Sequence, residues 1–419
     1  MHNFASLRFR KNICYFLFII IMKESLVAQV MWQVKKDTVI HWYYADGDEF
    51  NEYQVNLSKW RFAPDWGNAV IKQKLYFTNG DNVYQSNGYV HLILKNEKLH
   101  GHIYPWEIDT VWLRKHPIEI RNDSMWFNYT SGQLISKLKY KHGYFECRFK
   151  NNAEQGTWPA FWLFGAEPNN EIDWMELKGE RKKQLHVDVH CPDSCEDYRG
   201  GFLNLEKNWG GWIKTTKPLS ERFNIISGEW NENYLVFYFN GIPIAWFKHR
   251  YDLPMWLIIG NGVAMDHEAF HPGPSKKTCF PNEFVVDYVR VWTALDTARK
   301  NLPANFYNSE KTFVDDSKIK SNSIRRKLRF IYSTKILSNE MGTITLLPID
   351  KNKFSLTFLG PQITPAIITM MNDKNVTVKI KEVKGPGLVI LEFSELPVGK
   401  YYLKLECAGK VINHSIDIW

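Results

Sequence analysis

Three carboxylates lie within six residues of the stretch NNEIDWMELKG (169–179): Glu171, Asp173 and Glu176. Two neighbouring carboxyl groups can act as nucleophile and general acid/base, and a third can keep their protonation states apart. In a regular strand Glu171 and Asp173 share one face, whereas Glu176 falls on the other. One β-bulge between Asp173 and Glu176 would return Glu176 to the shared face. The spacing predicts such a bulge near Trp174–Met175; the alternative is a strand with ordinary outward charges.

Aromatic side chains crowd the same part of the chain. The sequence has 17 Trp, 20 Tyr and 26 Phe, and the segment GTWPAFWLFG just upstream carries Trp158 and Trp162. Flat rings stack on the apolar faces of sugars as readily as they fill a core. Trp174, inside the acidic motif, has the opposite parity to Asp173, so we expect it behind the sheet. Acids flanked by rings favour a sugar-binding cleft over a structural surface.

Short strands must position these residues. From about 30 to 294 the pattern is strand after strand with turn signals between them, as in GYVHLILK, KQLHVDVHC and NEFVVDYVRVW. Asn240-Gly241 joins two apolar strands and favours a type I′ hairpin. Because no strand–helix–strand rhythm is present, the pattern predicts an all-β, antiparallel sandwich.

Composition and charge limit the class of protein. The chain has 419 residues, 44% hydrophobic and 23% charged, which is typical of a soluble globular protein. The formal charge of +8 is diffuse and no nucleic-acid motif accompanies it, so we expect no nucleic-acid partner. Residues 1–28 join a basic start to a ten-residue apolar run, which predicts a secretory signal peptide and no stable membrane span.

The cysteines predict no zinc site. Five remain after the signal peptide; Cys147 alternates with charged residues and is expected as a buried thiol. Cys191 and Cys195 could close a small loop or pair elsewhere.

The sequence changes character near residue 295. We expect a catalytic domain over 29–295, a linker over 296–325 and a second domain over 326–419. The last of these shows about seven strands, the size and rhythm of a small immunoglobulin-like β-sandwich. Its end resembles the secretion-sorting domains of Bacteroidetes-type exported enzymes; a carbohydrate-binding accessory module and a structural appendage are the alternatives.

EIDWME resembles the bulged active-site strand of glycoside hydrolase family 16, the laminarinase, agarase and carrageenase group. DEFNEYQVNLSKW (48–60), YTSGQLISKLKYKHGYFECRFK (129–150) and FVVDYVRVW are similar to family segments in the same order, over residues 35–293. The resemblance implies a concanavalin-like β-jelly-roll with a concave cleft and a retaining mechanism. It implies Glu171 as nucleophile, Glu176 as general acid/base, and Asp173 as a hydrogen-bonding partner that tunes the nucleophile.

The resemblance also implies roles for further residues. His190 lies where the family often has a histidine near the cleaved bond, and Trp158 and Trp162 resemble rings of the cleft. Trp209 and Trp212 could close over a sugar, with structural packing as the alternative. Asp287, near Asp48 or Glu49, is a residue that the family often uses for a structural calcium ion; no other cofactor is expected.

The function implied is a secreted or cell-envelope bacterial endo-glycosidase that cuts internal β-bonds of a β-glucan or galactan and acts as a monomer. Alternatives are a hydrolase of sulfated galactan or poly-lactosamine, and a non-catalytic lectin-like protein. Gln133 replaces an arginine that touches substrate in many relatives, and CPDSCEDYRGG is not a common family segment. Because of these two differences from the family, the resemblance does not identify the substrate.

Overall fold

The structure is a computed structural model of the chain. It describes residues 42–165, 170–190, 200–201, 208–215, 217–232, 234–248, 253–267, 269–294, 335–339, 342–350, 353–359, 366–392, 396–407 and 409–418. The predicted signal peptide, the predicted linker and the pair Cys191–Cys195 lie outside these ranges. None of the helices that the structure describes is both long and apolar enough to cross a membrane.

Two large antiparallel sheets form the first body of the fold, and they confirm the expected all-β jelly-roll sandwich. The outer sheet has nine strands in the order β15-β19-β18-β17-β11-β21-β6-β5, with β1 also paired to β21. Its strands are β1 (Tyr43–Asp48), β5 (Val83–Ser86), β6 (Tyr89–Leu94), β11 (Gly143–Asn151), β15 (Gly200–Gly201), β17 (Asn224–Trp230), β18 (Tyr234–Phe239), β19 (Ile242–Lys248) and β21 (Asn282–Thr293).

The inner sheet has seven strands in the order β16-β14-β13-β12-β20-β10-β2 and carries the acidic motif on β13. Its strands are β2 (Trp60–Arg61), β10 (Gln133–Tyr140), β12 (Thr157–Phe164), β13 (Glu171–Glu176), β14 (Gln184–His190), β16 (Asn208–Lys214) and β20 (Met255–Val263). Alternation is clear on β12, where Thr157, Pro159, Phe161 and Leu163 are buried and the residues between them are half-buried.

One hydrophobic core fills the space between these sheets. Trp174 of β13 lies in it fully buried, with its ring 5.8 Å from Phe145 and 5.0 Å from Phe237. Its indole also covers Gly228 of β17, where an added Cβ would lie 2.0 Å from a ring carbon. The expectation that Trp174 lies behind the sheet is confirmed, and the close approach explains the glycine in the middle of a strand.

The predicted hairpin is present between β18 and β19. Asn240 and Gly241 both have positive φ, 48° and 77°, as a type I′ turn requires. Cys147 is a buried free thiol, as expected.

A small layered unit lies mostly between β6 and β10 in the chain, with residues 69–77 contributed from before β5. It contains a three-stranded sheet, a two-stranded sheet and one short helix. The elements are β3 (Ala69–Val70), β4 (Leu75–Phe77), β9 (Tyr129–Ser131), β7 (Leu99–His102), β8 (Ser124–Phe127) and α1 (Thr110–Lys115). Ile71, Ile103, Met125 and Phe127 form its own buried cluster. Asp109 caps α1 by accepting hydrogen bonds from the amides of Val111 and Trp112.

The C-terminal region forms two four-stranded sheets, β22-β23-β24-β27 and β26-β25-β28-β29. Their bounds are β22 (Lys335–Asn339), β23 (Gly342–Asp350), β24 (Lys353–Leu359), β25 (Ala366–Asn372), β26 (Thr377–Val383), β27 (Gly387–Glu392), β28 (Gly399–Cys407) and β29 (Lys410–Ile418). The described strands include β22, which the sequence pattern did not predict. The immunoglobulin-like assignment stays a prediction.

Candidate active site

A β-bulge on β13 brings the three acids onto one face. Against β14, Asp173 pairs with Asp188 and Glu176 with His186, so Trp174 and Met175 together oppose one residue. The register on the β12 side also shifts, between Phe161 and Trp162. The side chains of Trp174 and Met175 both point into the core, where they are fully buried. The predicted bulge near Trp174–Met175 is confirmed.

Glu171 and Asp173 behave as a coupled pair. Burial raises the pKa of both carboxyl groups, and for Asp173 the charges of Glu171 and Glu176 raise the pKa further. The hydrogen bond between the two side chains lowers the pKa of Glu171 and raises that of Asp173. Burial raises the pKa of Glu171 to about 7, and in the form of the pair in which Glu171 is ionised, the Asp173 carboxyl donates the hydrogen bond to it.

Both oxygens of Glu176 have partners. The indole Nε1 of Trp158 donates to Oε1 at 2.9 Å, and Nδ1 of His186 lies 2.9 Å from Oε2. Glu176 is only 8% exposed, so these contacts fix the carboxyl plane. A proton on Glu176 can pass to or from the imidazole of His186 without movement of either side chain.

The neighbouring strand β14 presents three polar side chains to the acids. His186, Asp188 and His190 alternate along it with the buried residues Leu185, Val187 and Val189. Nε2 of His190 lies 3.5 Å from Oδ2 of Asp173 and 3.7 Å from Oδ2 of Asp188. The positive charge of His190 lowers the pKa of Glu171, whereas burial raises the pKa of Asp188. His190 thus lies beside Glu171, with which it pairs in register across the two strands.

Aromatic rings line the acids on both sides. Trp158 and Trp162 lie on the half-buried face of β12 that also faces Glu176. Phe270 stacks on Trp158 at 4.3 Å, and the ring of Trp212 lies 4.9 Å from His186. These rings give apolar faces beside hydrogen-bonding carboxyl groups, the arrangement that sugar rings need.

The predicted binding residues fall into two groups. Trp158, Trp162, His190 and Trp212 lie around the acidic strand. Trp209 pairs through its backbone with Val189, but its side chain lies outside the described residues. The sequence analysis missed His186, Asp188 and Phe270. The period-two pattern of LHVDVH holds the signal for the first two; the third comes from a distant loop that carries no local signal.

Asp287 does not fit a calcium site. Its side chain is fully buried and forms an ion pair with Arg148. Glu49 binds Arg290 through both carboxylate oxygens, at 2.8 and 2.9 Å. Asp48 accepts hydrogen bonds from the amide of Phe50 and the indole of Trp60. Guanidinium groups thus already hold the carboxylates of Asp287 and Glu49, which are the oxygen ligands that a calcium ion would take.

Two triplets of side chains lie close enough to bridge a metal ion: Glu171, Asp173 and His190, and Glu176, His186 and Asp188, each with ligand atoms within 4.8 Å of one another. We assign neither as a metal centre. Hydrogen bonds within the groups, Asp173 to Glu171 and His186 with Glu176, already account for their proximity.

Curated relatives share part of the chain. It is 26% identical over 173 residues to "Endo-1,3-1,4-beta-glycanase ExsH" of Rhizobium meliloti (strain 1021), covering 40% of this chain and 34% of that protein. It is 27% identical over 193 residues to "Glucan endo-1,3-beta-glucosidase" of Cryptopygus antarcticus, covering 39% of this chain and 67% of that protein. The match therefore spans about a third of the length of the first relative.

Solved structures are similar at lower identity. The catalytic domain of an endo-1,3-beta-glucanase (laminarinase) from Thermotoga petrophila RKU-1 is 22% identical, with a TM-score of 0.48, over 61% of this chain and 99% of that one. The family model described as glycosyl hydrolases family 16 matches residues 72–276. The matched residues contain the acidic strand and both strands paired with it, so the candidate site lies in the part of the chain that is similar to glycosyl hydrolases family 16.

Proposed function

We propose that the protein is a retaining endo-glycosidase that hydrolyses internal β-bonds of a β-glucan. One observation carries the proposal: a single bulge places Glu171, Asp173 and Glu176 on one face of β13, beside rings suited to sugars. One curated relative is named an endo-1,3-1,4-beta-glycanase and another a glucan endo-1,3-beta-glucosidase, and the second name favours a β-glucan over a galactan. No contact in the described residues favours sulfated galactan, poly-lactosamine or a lectin-like role.

The mechanism follows from the hydrogen bonds. Glu171, ionised beside the Asp173 hydroxyl, attacks the anomeric carbon as the bond to the leaving oxygen breaks. Glu176 gives its proton to that oxygen. In the second step water attacks the glycosyl–enzyme ester, Glu176 takes the proton of the water, and Glu171 leaves as a carboxylate.

His186 and His190 support these steps from β14. His186 holds Glu176 in plane and can exchange a proton with it while the carboxyl alternates between acid and base. The charge of His190 stabilises Glu171 in its ionised form. Stacked rings of Trp158 and Phe270 shield one side of the acids from water.

We also propose that the protein acts as a monomer. We propose that it works outside the cytoplasm or on the envelope of a bacterium, and this location rests on residues 1–28 alone. N-terminal sequencing of exported protein tests this. A mature chain that retains the first 28 residues would contradict it.

The test of the activity is a comparison of wild type, Glu171→Gln and Glu119→Gln on a panel of β-1,3-glucan, mixed-linkage β-1,3-1,4-glucan, agar-type galactan, sulfated galactan and poly-lactosamine. Glu119 is an exposed acid outside the cleft, so its variant serves as the matched control. We expect release of new reducing ends by wild type and the control, and a loss of about 10⁴-fold or more in Glu171→Gln.

Stereochemistry tests the mechanism separately. Proton NMR during the first minutes should show the β-anomer as the first product. An α-anomer would contradict retention, and a wild type that binds a polymer yet cuts none would leave the lectin alternative.

A further inference from the structure

The small unit between β6 and β10 carries exposed aromatic side chains that its own fold does not need. Leu99 and Ile103 point into the unit, whereas His100, His102 and Tyr104 alternate with them on the outside. On β8, Met125 and Phe127 are buried, and Trp126 between them is 61% exposed. An outward position on an edge hairpin normally takes a polar residue, so these rings need another explanation.

The rings form a continuous row, here called the aromatic ledge: Trp126, His100, His102, Tyr104 and Trp106. His100 lies 5.0 Å from Trp126 across the hairpin, and His102 lies edge-on to Tyr104 at 4.8 Å. Tyr104 and Trp106 stack in parallel planes 4.7 Å apart, and Trp106 is 65% exposed. Two hydrogen-bonding imidazoles thus lie in the middle of the row, with larger flat rings at both ends.

The ledge is held rigidly. Nε1 of Trp106 donates to the carbonyl of Trp66 at 2.8 Å, which fixes the plane of the exposed ring. Glu107 accepts from the amides of Tyr104 and Ala69 at 2.7 and 3.0 Å, which anchors the turn that carries both rings. Rings fixed before a ligand arrives lose little conformational entropy on binding.

The ledge is also continuous with the acidic strand. Trp66, whose carbonyl orients Trp106, places its own ring 5.0 Å from Phe164 of β12 and 5.6 Å from Trp256 of β20. Phe164 pairs in register with Glu171. The Trp66 ring contacts and the hydrogen bond from Trp106 therefore connect the end of the acidic strand to the ledge.

We propose that the aromatic ledge is a second polysaccharide-binding site, which stacks on the pyranose faces of a glucan chain that extends beyond the cleft. The inference rests on the proposed function for its ligand class. A row of flat rings with two imidazoles at its centre fits a linear sugar chain, because the chain offers both C–H surfaces for stacking and hydroxyl groups for hydrogen bonds.

Binding tests the ledge without hydrolysis. The full chain carrying Glu171→Gln is compared with the same chain carrying Trp106→Ala and Trp126→Ala as well, by affinity electrophoresis in β-1,3-glucan and mixed-linkage glucan. We expect the dissociation constant to rise about 5- to 10-fold for the double variant. Tyr53→Ala is the matched control, since Tyr53 is 89% exposed and lies beside β5 at the edge of the other sheet.

Kinetic measurements on variants that keep Glu171 give a second test of the ledge. The ledge variants should raise KM for long polymer several-fold, while kcat on polymer and all parameters on a short oligosaccharide stay as in wild type. Trp126→Ala alone is included because Trp126 makes no hydrogen bond to Trp66, so its loss leaves the anchor of the turn intact. Unchanged circular dichroism establishes that each variant is folded.

The outcomes separate the two proposals. A wild type that cuts polymer, with ledge variants that bind and cut it equally well, overturns the ledge alone. A chain that neither cuts nor binds any polymer overturns both. Loss of binding to phosphatidylcholine–phosphatidylglycerol vesicles in the variants, with polymer affinity unchanged, would assign the rings to a lipid surface instead.

Discussion

The carboxyl of Asp173 is buried between Glu171 and Glu176, and it donates a hydrogen bond to Glu171. Replacement by Asn keeps a donor at the same place, whereas replacement by Ala removes it. Without the donor the pKa of Glu171 rises, so we expect the acidic limb of the kcat/KM profile of Asp173→Ala to move to higher pH. The profile of Asp173→Asn should keep its acidic limb near that of wild type. Equal displacement in both variants would contradict the assigned proton.

We expect the buried carboxyl of Asp173 to lower the free energy of unfolding at neutral pH. A carboxyl whose folded-state pKa is raised binds protons more tightly in the folded chain, so the free energy of unfolding falls as pH rises above the unfolded value of about 3.9. We expect Asp173→Asn to stabilise the protein at pH 7, because the substitution removes the ionisation that burial penalises. The gain should vanish as the pH approaches about 3.9. Urea unfolding at several pH values measures it, and a pH-independent difference would count against the linkage.

His186 gives the other residue-scale prediction. His186→Asn keeps a nitrogen near the position of Nδ1 and the hydrogen bond to Glu176, whereas His186→Phe keeps only the ring. Loss of one hydrogen bond to a charged group is worth about 1.5–3 kcal/mol, or roughly 10- to 100-fold in rate. We expect kcat to fall by that factor in His186→Phe and much less in His186→Asn. Similar losses in both would contradict a role confined to the hydrogen bond and would point to proton exchange through the imidazole.

Single residues differ in how far sequence could predict them. The parity conflict of Glu176 was enough to predict the bulge, because alternation on a strand is a strict geometric rule. The same rule placed Trp174 in the core. The pairing of Asp287 with Arg148 was not predictable, since it joins positions 139 residues apart. Phe270 over Trp158 is likewise a contact of distant segments.

At the scale of elements, the bulge on β13 depends on the strand behind it. Trp174 fits only because Gly228 of β17 has no side chain, and an added Cβ would lie 2.0 Å from the indole. We expect Gly228→Ala to destabilise the protein by about 1–3 kcal/mol or more and to lower activity, because the displaced indole pushes the bulge that carries the acids. Thermal unfolding and kcat/KM measure the two effects.

A glycine on β20, another strand of the inner sheet, provides the control. A Cβ at Gly260 would meet its nearest atom at 3.4 Å, an ordinary contact, so Gly260→Ala should change stability little. Equal destabilisation by both substitutions would show that strand glycines matter generally rather than through Trp174.

The elements themselves were predictable to different degrees. The strands of the sandwich and the Asn240-Gly241 turn follow from local alternation and turn chemistry. The unit with β3, β4, β7, β8 and β9 does not, because its strands have two to four residues each and β4 pairs with β9 in parallel across a long connection. Pairing of this kind is set by packing of the cluster around Ile103, not by a local pattern.

At the scale of the whole molecule, Trp42 is the point where the first strand meets the C-terminal sheets. Its indole is 4% exposed and lies 6.0 Å from Tyr144 of β11. Its amide donates to the carbonyl of Lys384 at 2.5 Å, and a Cβ on Gly385 would collide with its carbonyl at 2.3 Å. Gly385 has φ of +77°, so the close approach and the backbone conformation both require glycine there.

This contact should couple the unfolding of the two regions. Truncation of a buried Trp costs about 3–5 kcal/mol, and here the loss falls on a contact that both regions share. We expect Trp42→Ala to lower the temperature of the calorimetric transition of the C-terminal sheets and to separate it from the transition of the two large sheets. We expect kcat/KM to stay unchanged, because Trp42 touches none of the acids. Trp42→Phe, which keeps a ring against Tyr144, should show an intermediate effect. A thermogram of Trp42→Ala identical to wild type would mean that the two regions unfold independently of this contact.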